Sequence, residues 1–247
     1  MTRHGAGLTV KRIHVLLLGF KDQHDALAGR LLLLNIRALR ADDAGAGATL
    51  ISRSAEPVRA TLVPADLGTP DLAADLDRLR RTAGTMDFVA LGPQPASERV
   101  EALRKAGVRF CLWHPIEDSA LRSVVNRAVY DEGRGEVRGE TRVPTAMVAR
   151  IFSAAGEKAA LLYNLSVGGA YLETHRPTGV GGHVKVEVPL PAGKFLLAAR
   201  VVSTNVPGNL QRPNLPMGMG VAFTELDADT RAVLERYVEE RSGAFEL

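Results

Sequence analysis

The residues in this chain best suited to chemistry are an arginine ladder, Arg134, Arg138 and Arg142, and the stretch Asn164-Leu165-Ser166-Val167-Gly168-Gly169 that follows it. Guanidinium groups are planar donor forks that bridge two phosphate oxygens or the O6 and N7 edge of a guanine. In the second stretch an amide and a hydroxyl stand two positions apart, where each bonds either a ligand or the turn's own backbone. Gly168 and Gly169 carry no Cβ, so the main chain there accepts positive φ and lets a bulky ligand approach. This is the chemistry of anion binding. No nucleophile, base and oxyanion set can be assembled from the other residues, which argues against an enzyme.

Arg138-Gly139-Glu140-Thr141-Arg142 has the form RxxxR, and Asn164 to Gly169 has the form [D/N]xSxxG, in that order along the chain. The pair resembles the PilZ family of bacterial cyclic di-GMP receptors. Gly218-Met219-Gly220-Val221-Ala222-Phe223, followed by a helical pattern, resembles the family's last strand and closing helix, so the resemblance covers roughly residues 134 to 241. It implies that Arg138 and Arg142 hold the guanine edge and phosphates, that Asn164 and Ser166 fix a guanine or phosphate from the barrel side, and that Gly169 leaves room for the base. Arg134, Gly168 and Arg212 are outer candidates for contact. Val137 stands where the family usually has a basic residue, which favours one bound ligand molecule over two.

The elements that must position these groups follow from periodicity. Before the ladder, short apolar runs alternate with amphipathic ones, the sign of a parallel sheet with helices on both faces. Strands are expected at Ile13 to Leu18, Ile36 to Arg40, Arg59 to Pro64, Asp87 to Leu91 and Val108 to Trp113, with helices at Gln23 to Leu34, Leu72 to Arg81 and Ala96 to Lys105. Asp118 is expected to cap a further helix, and the glycine-interrupted segment from Ala44 to Ser54 to form a poor one. Beyond the ladder the period switches to two, and six strands are expected: Ala146 to Phe152, Ala159 to Tyr163, Ala170 to Thr174, His183 to Val188, Phe195 to Ser203 and Gly220 to Thr224. Six strands suffice for a small closed barrel. Pro189 to Gly193 reads as a hairpin turn, Val206 to Pro216 as a long loop, and Asp227 as the start of a last helix.

The first half also resembles response-regulator receiver domains. Asp66-Leu67-Gly68-Thr69-Pro70 looks like their phosphoacceptor loop, and Ala106 to Pro115 like the segment that ends in their Lys-Pro pair. The departures are Leu18, Gly19 and Phe20 where receivers place two acids for magnesium, Gly92 where they place Ser or Thr, and His114 where they place Lys. Phosphoryl transfer to a carboxylate needs a divalent ion and a fixed cation. Asp66 is therefore expected to be a vestigial phosphoacceptor that caps a turn, and the domain to be an interaction module.

Composition is that of a soluble globular protein, with 24% charged and 46% hydrophobic residues and a net charge of +3. A lone cysteine, Cys111, excludes an internal disulfide and a thiolate metal cluster and suits a reducing cytoplasm. The apolar stretch ahead of Lys21 reads as a buried strand, not a signal peptide. The expected organisation is a flavodoxin-like α/β pseudo-receiver over 1–131, a flexible linker carrying the arginine motif over 132–144, and an all-β PilZ barrel with a C-terminal helix over 145–247. In the linker, Glu136 and Glu140 are expected to pair with the neighbouring arginines. The expected function is that of a cytoplasmic, non-enzymatic cyclic di-GMP effector without cofactor or metal, acting in motility or biofilm regulation. Ligand binding would change the interdomain arrangement or the binding of a protein partner through the pseudo-receiver. A homodimer is compatible; DNA binding and membrane insertion are not expected. The alternatives are an adaptor of PilZ fold that binds only proteins, and a response regulator phosphorylated on Asp66.

Overall fold

The structure is a computed structural model that describes residues 13–69, 71–129, 140–207 and 215–247. Its first sheet is parallel and contains β1 (Ile13–Leu18), β2 (Ile36–Ala41), β3 (Val58–Pro64), β4 (Asp87–Gly92) and β5 (Phe110–Trp113), in the spatial order β2-β1-β3-β4-β5. The inner strands β1, β3 and β4 are mostly apolar because helices cover both faces, whereas the edge strand β2 carries Arg37 and Arg40. On one face α1 (His24–Leu33) and α5 (Asp118–Val129) bury Ala28, Leu31, Leu121, Val124 and Val125 against Val15, Leu17 and Leu62. On the other, α2 (Ala44–Arg53), α3 (Leu72–Ala83) and α4 (Ser97–Lys105) bury Ile51, Leu76, Leu79 and Leu103 against Leu16, Val63 and Phe88.

Two local expectations are corrected. The segment after Ala44 is a full helix, because Asp43 accepts the Ala46 N–H at 2.8 Å as an N-cap and Gly47 lets the helix lie close on β1. A Cβ at Gly47 would lie 3.0 Å from Leu16 Cδ2, so this glycine is a packing choice. Asp118 is the first helical residue of α5 and not its cap: Leu121 N–H donates to the Glu117 carbonyl, and the Asp118 carboxylate is held by Arg30 Nε at 3.0 Å and Nη2 at 2.7 Å.

The second half is a closed antiparallel barrel of β6 (Val143–Ser153), β7 (Gly156–Ser166), β8 (Gly169–Glu173), β9 (His183–Leu190), β10 (Gly193–Asn205) and β11 (Gly218–Glu225), ordered β10-β11-β8-β7-β6-β9. All six expected strands are present; most run a few residues beyond the expected ends, while β8 stops one residue short of Thr174. Alternate residues such as Ala149, Ile151, Leu162, Leu172, Val186 and Val201 fill the interior. The helix α6 (Ala228–Gly243), capped by Asp227 on the Thr230 N–H, adds Leu234 to that core.

The sheet and barrel touch. Helix α5 packs on β6 and β7, where the Arg122 guanidinium lies 5.5 Å from the centre of the buried Tyr163 ring. Past α6, the Phe245 carbonyl accepts the Cys111 N–H at 3.0 Å and Leu247 N–H donates to the Arg109 carbonyl at 3.0 Å. Residues 245–247 thereby meet the β5 edge through a single antiparallel bridge, Phe110 to Glu246, and Phe245 is buried in the core of the first domain.

Candidate functional site

The site is built where β7 turns into β8. The two strands pair as far as Ser166 and Gly169, leaving a tight loop of Val167 and Gly168. Gly169 is fixed by packing: a Cβ there would lie 2.3 Å from the Val221 carbonyl oxygen, so only glycine lets β8 approach β11 this closely. The Gly168 carbonyl accepts the Phe223 N–H at 2.9 Å, which pins the loop to β11.

On the other flank β6 pairs with β7 through Val143 opposite Leu165 and Pro144 opposite Asn164. Continued outward, that register sets Arg142 opposite Ser166 and Glu140 opposite Gly168. The half-buried Arg142 donates from Nη1 to Asn164 Oδ1 at 3.2 Å. The RxxxR arginine and the motif asparagine are thus brought together, with the asparagine oxygen holding the guanidinium in place.

Ser166 is fully buried, and its hydroxyl donates to the Gly169 carbonyl at 3.1 Å. Of the two roles open to that hydroxyl, the structure shows the closing of the turn. Gly168 N–H donates to Glu140 Oε2 at 2.7 Å, so the Glu140 carboxylate holds the loop amide. Sequence reasoning noticed this acid but missed its acceptor role. The available signal was register: once Val143 faces Leu165, Glu140 must face Gly168. Arg134, Arg138 and Arg212, with Glu136, lie outside the described residues.

The half-buried notch therefore gathers a guanidinium, a carboxamide and, beneath the Glu140 carboxylate, a main-chain N–H, a donor set for phosphate oxygens or a guanine edge. Beside Asn164 in β7, Tyr163 points to the first domain and packs edge-to-face on Tyr171, ring centres 6.0 Å apart. Burial pushes the Tyr163 hydroxyl well above the usual phenol range, with the Arg122 guanidinium pulling in the opposite direction. The Tyr171 hydroxyl donates to the Pro216 carbonyl at 2.7 Å, tying the end of the 206–216 loop to this side of the barrel.

At the carboxyl end of the parallel sheet, Asp66 is exposed in the turn after β3. The space beside Gly19 is taken by Leu67, whose Cδ1 lies 2.4 Å from where a Cβ would stand. Arg99 spans the same turn, donating to the carbonyls of Ala65 at 2.9 Å and Leu67 at 2.8 Å. Among the described residues no group of three His, Cys, Asp or Glu side chains is placed to hold a metal ion. No described helix is long and apolar enough to cross a membrane.

Residues 136–240 match the family model of the PilZ domain, and that segment of the chain is a PilZ domain. Among solved structures, the chain is similar to the inhibitor of motility MotI (DgrA) of Bacillus subtilis, with 21% identity, 44% of this chain and 52% of that one covered, and a TM-score of 0.36. It is similar to the PilZ domain of YcgR from Escherichia coli with c-di-GMP, with 20% identity, 44% and 93% covered, and a TM-score of 0.34. A third similarity is to the receiver domain of the sensor histidine kinase PA1611 from Pseudomonas aeruginosa, with 17% identity, 48% and 98% covered, and a TM-score of 0.41. The matched region spans about half the length of MotI, at 52%. No curated protein matches the chain.

Proposed function

We propose that this PilZ-domain chain is a non-enzymatic receptor for cyclic di-GMP, and that the receiver-like domain serves as its output module. The observation that carries the reading is the notch of Arg142, Asn164 and the Gly168 N–H, formed by the two segments that carry the RxxxR and [D/N]xSxxG motifs. A cyclic dinucleotide brings two phosphodiester charges, and each charge-assisted hydrogen bond contributes about 1.5–3 kcal/mol. Arg138, and with less direct support Arg134 and Arg212, complete the proposed set, while Ser166 and Gly169 shape the loop that presents it. Because Tyr163 adjoins Asn164 and packs under Arg122 of α5, a ligand that shifts β7 acts directly on the contact between the domains.

The test is titration calorimetry of the intact chain with cyclic di-GMP beside Arg142→Ala. Micromolar or tighter binding at one ligand per chain, lost in the variant, is expected. No heat in the intact chain at high ligand concentration would overturn the reading and leave the barrel as a protein-binding adaptor.

A phosphorylated response regulator is disfavoured by Leu67 and Arg99, which occupy the region where a receiver assembles its metal and phosphate. Incubation with magnesium and a small acyl phosphate is expected to leave the chain unmodified. Uptake that Asp66→Asn abolishes would establish the rival.

A further inference from the structure

We infer that Glu140 is a resident competitor for the nucleotide's anionic groups, so that binding is an exchange of one anion for another; this rests on the receptor reading above. The motif loop offers the Gly168 N–H as a main-chain donor, and the Glu140 carboxylate already occupies it at 2.7 Å. The loop that carries this donor is itself anchored, because the Gly168 carbonyl accepts the Phe223 N–H of β11. A carboxylate oxygen on an amide N–H presents the same charge-assisted geometry as a phosphate oxygen would.

The loop is shaped for this occupant. A Cβ at Gly168 would lie 2.6 Å from both Glu140 oxygens, so the carboxylate seats in the volume that the missing side chain leaves. Glu140 stands two residues before Arg142 on the same strand entry, so its charge also sits near the guanidinium that would receive the ligand. A ligand phosphate entering the notch displaces the carboxylate from the amide and must overcome its repulsion. Glu140 thereby sets the affinity of the site and raises the ligand concentration at which the chain responds. Once displaced, the segment bearing Glu140 loses its tether to the loop, which makes ligand entry and release of the strand entry one event.

Two measurements on the full chain test this. The first is the amide proton of Gly168, followed by NMR in the intact chain and in Glu140→Ala without ligand. A downfield position in the intact chain that moves in the variant is expected, and an unchanged resonance overturns the inference whatever the ligand does. The second is calorimetry with cyclic di-GMP on the intact chain, Glu140→Ala and Glu140→Gln. The alanine variant is expected to bind about tenfold more tightly, and the glutamine variant, which keeps an acceptor but no charge, to fall between. Equal affinity in all three chains, with Arg142→Ala still abolishing binding, overturns the competition and leaves the receptor reading standing. Binding by Glu140→Ala alone supports both. No binding in any chain overturns both, even where the amide contact is confirmed.

Discussion

The Cys111 N–H donates to the Phe245 carbonyl at 3.0 Å, joining the edge of the parallel sheet to the segment that follows the barrel's closing helix. An exposed parallel edge is a row of unpaired donors and acceptors, and here residues 245–247 satisfy part of it. The Phe245 ring sits in the sheet's own core, and the Arg241 guanidinium lies 4.9 Å from its centre. Arg241 also donates to the Pro144 carbonyl at 3.2 Å, two residues from Arg142.

Phe245→Ala is therefore expected to cost about 3 kcal/mol, the usual penalty for emptying a buried aromatic site. Because that ring joins the two domains, the loss should appear as a split of one calorimetric unfolding transition into two. A single transition at an unchanged temperature would show that the tail does not couple them.

The Cys111 thiol gives the same junction a pH dependence. Burial first, and then the nearby Glu246 carboxylate, push its pKa up to about 11. An unfolded cysteine ionises near about 8.5, so between that pH and about 11 the folded chain holds the proton that the unfolded chain releases. The stabilisation is fully present below the unfolded pKa and is lost as pH rises through this window, by roughly 3 kcal/mol in all. Denaturant midpoints from pH 7.5 to 11 should fall more steeply for the intact chain than for Cys111→Ala. Parallel curves would refute the assignment.

Arg142 donates to the side-chain oxygen of Asn164, and its planar fork is the feature a substitution must keep. Arg142→Lys preserves the charge but has no fork to satisfy Asn164 and two phosphate oxygens together. A loss of about tenfold in cyclic di-GMP affinity is expected by calorimetry, without a change in melting temperature. Lysine binding as well as arginine would mean that the site reads charge alone.

Period and turn chemistry made most of the fold legible: alternation announced all six barrel strands, and apolar runs announced the five parallel ones. What stayed hidden depends on contacts between distant segments. Asp43 and the close approach of Gly47 to Leu16 make a helix of a sequence that propensity disfavours. The three residues 245–247 are too few to carry a period, so their pairing with β5 leaves no local trace. At the site, residue types announced the donors Arg142 and Asn164, but only register revealed that Glu140 faces Gly168. The burial of Ser166 was equally invisible, since a serine in a turn reads the same whether its hydroxyl faces out or closes the turn.

The contact of Tyr163 with Arg122 yields a last prediction, because it separates what the interface needs for stability from what it needs for signalling. The Tyr163 hydroxyl is buried and makes no hydrogen bond of good geometry with any described residue; the guanidinium of Arg122 stands over the ring and near enough to the hydroxyl to favour its ionised form. Deleting that hydroxyl removes a poorly paired polar atom, so Tyr163→Phe should leave stability within about 1 kcal/mol of the intact chain or raise it. The ring itself is the contact, so the phenylalanine variant should also keep any change in small-angle scattering that cyclic di-GMP induces in the intact chain. Arg122→Ala removes the cation from the ring face and should weaken the contact by about 0.5–2 kcal/mol. Under the proposed function it should leave nucleotide affinity nearly unchanged while altering the scattering response. A variant at Arg122 that still responds as the intact chain does would move the relay elsewhere, to the Phe245 junction.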